Sequence, residues 1–310
     1  MVMSARAARI IDPILTGYIR GYENNDLVGK YLFPEVPVPA AGGQILQFGK
    51  EAFILYATQR APGGNTARME IGYLGLPYAC ENHALEAKVP DELSRDAQQV
   101  PGIDLQQNSV GAVWDSMLLK LEYQQSQVAR NPGNYGINNK MALSGAAQWS
   151  ATTSTPRSDV QAARMAIRAQ TGKYPNVMVL PPGGCYKLGE HPAIKDRFKF
   201  TTAESLTLAM LAKYFEVDLV VEGNSVYVKT LDSAFSDCWG NDVVLAYVPK
   251  QLKNQKTPSF GYTYALRGHP FVKQGYYENN CESWIYGVKH ERSPVIAGAD
   301  AGFLIQNAFL

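Results

Sequence analysis

Between Asp104 and Arg130 the chain carries its most regular hydrophobic pattern, with Val110, Val113, Trp114, Met117, Leu118 and Leu121 at offsets of 0, 3, 4, 7, 8 and 11. Such offsets place these side chains on one face of an α-helix of 3.6 residues per turn. Asn131-Pro132-Gly133 ends the pattern, because proline cannot continue the ladder of backbone hydrogen bonds and glycine accepts a reversed backbone. At 1.5 Å per residue the helix is about 40 Å long, enough to serve as the axis of an elongated subunit. An ordinary core helix would show the same stripe. Changes at Gln124 and Gln125, near the end of the stripe, are expected to be far milder than a charge placed on it at Trp114.

Ahead of this helix, residues Ile45 to Tyr73 read as one long β-hairpin with the turn residues Ala61-Pro62-Gly63-Gly64-Asn65 at its tip. Two strands without a third strand or a covering helix are marginal in water, so the ribbon must lie on something, and a second copy of the chain is the expected support. Residues 1–44 hold Pro13, Pro34, Pro37, Pro39 and Gly42-Gly43 among isolated apolar residues, which predicts an arm with one short helix. Phe33 of the arm and Phe53, Leu55, Tyr56, Arg60 and Arg68 of the hairpin are the candidate contacts between subunits.

Beyond a loop-like stretch to Pro156 the pattern turns to mixed helix and strand. Ser158-x-x-Gln161 reads as a capping box whose helix stops at Gly172, and Asn176–Leu180 reads as a buried strand. A helix is expected from Thr201, with Glu204 completing its cap. A hairpin is expected over Asp218–Glu222 and Ser225–Lys229, and a strand over Val243–Val248. Residues 150–257 are therefore expected to form their own α/β subdomain. Pro258 to Leu310 is strand-rich and aromatic, and is expected to return onto the long helix. That makes 76–149 and 258–310 one discontinuous unit.

Length and charge narrow the function. A chain of 310 residues with 46% apolar content exceeds one ordinary core, so two subdomains are expected. Lys plus Arg total 29 against 28 for Asp plus Glu, which argues against a dedicated nucleic-acid binder. Contact with DNA should be weak, independent of sequence and sensitive to salt. Cys80, Cys185, Cys238 and Cys281 lie too far apart for a zinc knuckle or a redox pair, and are expected as free thiols in a reducing cytoplasm. The N-terminus lacks the apolar core of a secretory signal, and no apolar run reaches the ~18 residues of a membrane span. A soluble protein, intracellular when made, is expected.

Chemical motifs are weak. The chain has no dinucleotide-binding, P-loop, zinc-protease, EF-hand or nucleophile-elbow pattern, and Pro62-Gly-Gly64 and Pro182-Gly-Gly184 read as turns. His83, between Glu81 and Glu86, reads as a hydrogen-bonded structural histidine. Aromatic residues near the C-terminus read as core or subunit contacts ahead of base-stacking platforms. No catalytic, cofactor-binding or metal-binding residue is assigned.

Six blocks, in order, carry a resemblance: Asp12-Pro-Ile-Leu-Thr-Gly17, Tyr31-Leu-Phe-Pro34, Glu81-Asn-His-Ala-Leu-Glu86, Val100-Pro-Gly-Ile-Asp104, Pro258-Ser-Phe-Gly-Tyr262 and Ala299-Asp-Ala-Gly-Phe303. With the order of arm, extended loop, long helix, inserted α/β region and returning sheet, the chain resembles the major capsid proteins of tailed bacteriophages. The resemblance implies an α+β, HK97-like fold: an N-terminal arm (1–44), an extended β-hairpin loop (45–75), a peripheral domain with a spine helix, and an axial domain (150–257). It also implies self-assembly through hexamers and pentamers into an icosahedral shell around double-stranded DNA. The implied partners are portal and scaffolding proteins and a decoration protein, and assembly takes place in the cytoplasm of a bacterial host. Many relatives begin with a cleaved scaffolding segment. The arm-like start here fits a mature form or a separate scaffold. Some relatives cross-link subunits through a lysine, and Lys50 beside Glu51 invites the comparison, but position alone assigns it no role. Two other readings stay open: an encapsulin-like cellular compartment of the same fold, and an α/β enzyme.

Overall fold

The computed structural model describes residues 11–22, 24, 26–46, 55, 58–60, 62–63, 66, 75–97, 104–198, 206–250 and 259–309. Asp12 caps helix α1 (Pro13–Gly21), its Oδ1 accepting from the backbone N–H groups of Ile14 at 2.9 Å and Leu15 at 3.0 Å. A single turn, α2 (Gly29–Leu32), leads into strand β1 (Glu35–Val38). Strands β2 (Gly42–Leu46) and β3 (Gly75–Ala79) then pair antiparallel, Gly42 opposite Ala79, and form the root of a ribbon. This root brackets the hairpin expected over 45–73, most of which lies outside the described residues. Tyr78 stacks on Tyr264 with ring centroids 4.5 Å apart, which seats the root on the chain's own sheet.

Strand β4 (Glu81–Pro90) runs into α3 (Asp91–Ala97), and the long helix α4 follows over Leu105–Arg130, the span expected from the sequence. Asp104 caps it, its Oδ1 accepting from Gln106 N–H at 3.0 Å and Gln107 N–H at 3.1 Å. Its first half buries Val110, Val113, Trp114 and Met117 against Leu15 and Ile19 of α1 and against Val89, Val272, Tyr286 and Val288. Leu118 and Leu121 are only half-buried. From Glu122 onward the buried face turns polar, comprising Glu122, Gln125, Ser126 and Ala129. Gln125 is thus a buried residue, although it lies beyond the apolar part of the stripe.

The middle of the chain supplies β5 (Lys140–Ala142), α5 (Pro156–Thr171), β6 (Val177–Leu180), α6 (Gly184–Glu190), α7 (Pro192–Phe198), α8 (Leu208–Phe215), β7 (Leu219–Glu222), β8 (Val226–Tyr227), β9 (Ser236–Asp237) and β10 (Val243–Ala246). The last part supplies β11 (Gly261–Leu266), β12 (Phe271–Val272), β13 (Tyr276–Glu278), β14 (Ser283–Ile296) and β15 (Gly302–Gln306). Two main sheets result. In the six-stranded sheet, β14 pairs on one flank with β4 and on the other with β11, β12 and β13 in turn, while β1 adds to β11 in parallel. The five-stranded sheet has the order β5-β15-β10-β6-β7.

The expected limits of 150 and 257 do not divide the sheets, because β5 and β15 lie outside them and complete the five-stranded one. The cause is alternation along β15: Phe303 and Ile305 enter the core beneath α5 and α8, while Leu304 enters the core on the opposite face. Only a strand buried on both sides has that pattern. The arm likewise does not stand apart, since β1 belongs to the six-stranded sheet and Phe33, 1% exposed, packs at 5.5 Å from Phe260. A Cβ at Gly261 would come 2.4 Å from the Phe33 ring, so glycine is what lets that ring cross the strand.

Other expectations shift in detail. Helix α5 begins at Pro156 after Thr155, without the capping box at Ser158, and Asp159 instead accepts from Trp149 Nε1 at 2.9 Å. Gly172 does end the helix, at φ 68°. Helix α8 starts at Leu208 behind Thr207, whose hydroxyl accepts from Met210 N–H at 3.3 Å. The strand at Leu219–Glu222 pairs in parallel with β6, so the expected hairpin over 218–229 does not form; β8 pairs with β9. Trp239 lies where a Gly223 side chain would be, 2.1 Å from an added Cβ, and this directs the chain out of the sheet at that turn. No helix among the described residues is long and apolar enough to cross a membrane.

Candidate functional site

The second half of α4 is the point where arm, spine and both sheets meet, and buried polar groups fasten it. Glu122, 1% exposed, accepts through Oε1 from Val28 N–H at 3.0 Å and Trp239 Nε1–H at 2.7 Å, and through Oε2 from Gly29 N–H at 2.8 Å. Burial pushes its carboxyl pKa up, against the opposing pull of these donors and of Lys30. An added Cβ on Gly29 would meet Gln125 Oε1 at 2.1 Å, so the arm approaches as closely as a bare backbone allows. One turn further along the helix, Gln125 Nε2 donates to Thr263 Oγ1 at 2.9 Å, and that hydroxyl donates to Phe33 O at 3.0 Å. Arg130 ends the row, donating to Asp242 Oδ2 at 2.8 Å and to Cys238 O at 3.0 Å.

A cluster of one arginine and neighbouring histidines lies under the first half of the same helix. Arg292, fully buried, donates to Met117 O and, at 3.3 Å, to His290 Nδ1. That bond makes Nδ1 an acceptor, so His290 is neutral with its proton on Nε2, and the buried Nε2 has no hydrogen-bond partner among the described residues. Strand register sets His83 directly opposite His290, and the Trp114 ring lies 5.6 Å away. His83 Nε2 has no hydrogen-bond partner among the described residues, and Glu81 Oε2 lies 3.7 Å off. Burial, then Arg292, His269 and His83, push the His290 pKa down to about 2; burial pushes Arg292 down to about 10 against the pull of Glu35. Burial likewise lowers His83 and His269.

Acid should therefore loosen this junction. A histidine ordinarily near 6.5 and held near 2 when folded contributes its full stability above 6.5, and loses it steadily as the pH falls towards 2. The loss is about 1.4 kcal/mol per pH unit, or roughly 2 kcal/mol by pH 5. His83 and His269 act in the same direction, while Glu35, Glu122 and Asp159, whose pKa values burial raises, act in the opposite one. Denaturant unfolding at pH 7, 6 and 5 should show the decline, and His290→Gln, which keeps an acceptor for Arg292, should flatten it. Equal slopes in both proteins would refute the assignment.

Among the described residues, a cavity beside α4 and a serine–histidine pair are the features to weigh as chemistry. A cavity of about 430 Å³ lies between α1, α4 and the loop at Pro270. Its cations are bound to backbone carbonyls: Arg20 to Gly268 at 2.6 Å and Pro270 at 3.0 Å, Lys30 to Asn24 at 3.3 Å. Ser154 Oγ and His191 Nε2 are 3.1 Å apart, and both converge on Ala151 O, at 2.8 Å and 3.2 Å. The shared carbonyl shows the pair fastening the turn at residues 151–154. No group of metal-ligating side chains forms among the described residues.

The candidate contact residues separate. Phe33 is internal. Leu55 is 98% exposed, and Arg60 is exposed with Nη1 donating to Thr66 Oγ1 at 3.0 Å. Phe53, Tyr56, Arg68 and Lys50 lie outside the described residues. Sequence reading missed Glu122 and Arg292, since a lone charge in an apolar context carries no periodic signal; only its position within the helical stripe pointed to burial of Glu122.

The profile of the family described as phage major capsid protein E matches residues 133–258. The major capsid protein of Burkholderia phage BcepMu is 34% identical over 302 residues, covering 96% of each chain. The crystal structure of a phage-related protein from Bordetella bronchiseptica superposes with a TM-score of 0.84 at 44% identity, over 97% of this chain and 98% of the other. An encapsulin complex from Synechococcus elongatus gives 0.55 at 12% identity, over 99% and 96%.

Proposed function

The chain belongs to the phage major capsid proteins, and on that premise we propose how its parts divide the building of a shell. It is a structural protein with the HK97-like fold, a component of the virion, and forms the icosahedral shell. Arm and ribbon overlap neighbouring copies within hexamers and pentamers. Helix α4 with the six-stranded sheet makes the peripheral part of the subunit, and the five-stranded sheet with its helices makes the axial part around symmetry axes. The shell encloses a double-stranded DNA genome without reading its sequence, in keeping with a formal net charge of +1. Scaffolding, portal and decoration proteins are its partners, and assembly takes place in the host cytoplasm. An encapsulin-like compartment shares the fold, but that likeness is one of fold alone.

The β2–β3 root carries this reading. A two-stranded ribbon has no core of its own, and Leu55 within its span is bare to solvent at 98% exposure. Burial against a neighbouring copy supplies the missing contact. Deleting Gly49–Glu70 should leave circular dichroism close to wild type, because both main sheets and their helices lie outside the deletion. The same deletion should abolish shells seen by electron microscopy and sedimentation. Wild-type protein that stays monomeric at high concentration, with scaffold present, would overturn the proposal, and normal shells from the deletion would overturn the role of the ribbon.

A further inference from the structure

After β7 the chain leaves the five-stranded sheet and makes the short β8–β9 ribbon. Its root is held to α4: Tyr227 and Tyr123 have ring centroids 4.6 Å apart, and Cys238 O accepts from Arg130. Its tip is a formed turn, with Ser233 N–H bonded to Thr230 O at 3.0 Å and the two hydroxyls 2.6 Å apart. Yet this ordered tip presents apolar side chains to water, Leu231 at 101% and Phe235 at 77% exposure, with Val226 and Val228 exposed beside them. Strands of two residues cannot stabilise such a surface, and large apolar side chains exposed on a projecting turn mark a contact.

The charge on the tip identifies the other party. Residues 228–235 read Val-Lys-Thr-Leu-Asp-Ser-Ala-Phe, with one base and one acid, and neither Lys229 nor Asp232 forms an ion pair with another described residue. A strongly acidic or basic partner finds no complement here. A second tip does, because the net charge is zero and each copy offers both signs. We propose that residues 228–235 are a contact between copies of this chain, in which Leu231 and Phe235 bury against the tip of the next copy and Lys229 meets that copy's Asp232. Lys229 of each copy facing Asp232 of the next lets the contact repeat around a symmetry axis, and the preformed turn lowers the entropy lost on binding. The inference rests on the shell-forming reading and names a surface for it.

Leu231→Asp with Phe235→Asp tests the apolar part. Both side chains are exposed in the subunit, so its near-ultraviolet circular dichroism should be unchanged, while the assembled fraction at matched concentration should fall at least about tenfold. Lys229→Asp alone should weaken assembly, and adding Asp232→Lys should restore it. If the double aspartate variant fails to fold, the charge pair decides: rescue supports the contact, and indifference to both changes overturns it. Variants that assemble like wild type overturn this inference and leave the shell reading intact; a wild type that never assembles overturns both.

Discussion

Trp114→Asp is expected to leave the chain unable to fold. Trp114 lies at the centre of the buried stripe of α4, packed with Leu15 and Ile19 of α1 and with Val288, and 5.6 Å from the His290 ring. Removing a buried indole costs about 3–5 kcal/mol, and an unpaired carboxylate in its place adds several more, against a whole-domain stability of roughly 5–15 kcal/mol. Insoluble protein without a near-ultraviolet circular dichroism signal is the expected result, while Trp114→Phe should remain folded. Further along the helix, Gln125→Ala should cost about 1–3 kcal/mol through the lost bond to Thr263. Gln124→Ala should cost almost nothing, because the buried Gln124 Oε1 has no partner among the described residues to lose. A soluble, cooperatively unfolding Trp114→Asp protein would show that this face of α4 is not the one that carries the fold.

The two halves of α4 show how far the sequence could be read. Its first half obeys apolar periodicity, so length, caps and inward face follow from residue identities alone. Its second half is buried through hydrogen bonds, and a buried Gln125 looks like a solvated one until Thr263, 138 positions away in sequence, is seen beside it. Strands tell the same story. The segment Leu219–Glu222 was legible as a strand, but its parallel partner Val177–Leu180 is set by the helices between them, whereas a turn such as Gly223-Asn224 suggests the nearer, antiparallel one. The apolar stretch at Phe303–Ile305 was legible as a strand that docks, yet only the sheet decides on which neighbour it docks. Phe33 was the clearest misreading: one aromatic residue in a proline-rich arm resembles a contact for another subunit, and the small Gly261 that receives its ring lies too far along the chain to suggest otherwise. Assembly was suggested in the sequence by the hairpin expected over 45–73, because two strands without a covering element are marginal alone.

Glu122→Ala is the second substitution expected to be severe, for a reason opposite to that for Trp114. The methyl group leaves three buried donors, Val28 N–H, Gly29 N–H and Trp239 Nε1–H, without an acceptor. Each orphaned donor costs about 1–3 kcal/mol, and even with incomplete additivity the total should reach roughly 3–6 kcal/mol. The effect should also be unevenly distributed. Val28 and Gly29 belong to the arm and Trp239 to the segment entering β10, so the variant should release both from the spine and raise amide hydrogen exchange there before global unfolding. Glu122→Gln distinguishes hydrogen bonding from charge. Burial already disfavours the ionised carboxyl, so losing the charge is tolerable, and Gln keeps one oxygen that can serve Val28 and Trp239 while Gly29 goes unserved. The Gln variant should therefore lose less than half of what the Ala variant loses, measured by denaturant unfolding at one protein concentration so that self-association does not shift the comparison. Equal losses in the two would mean that the charge, not the three hydrogen bonds, holds the arm to the spine.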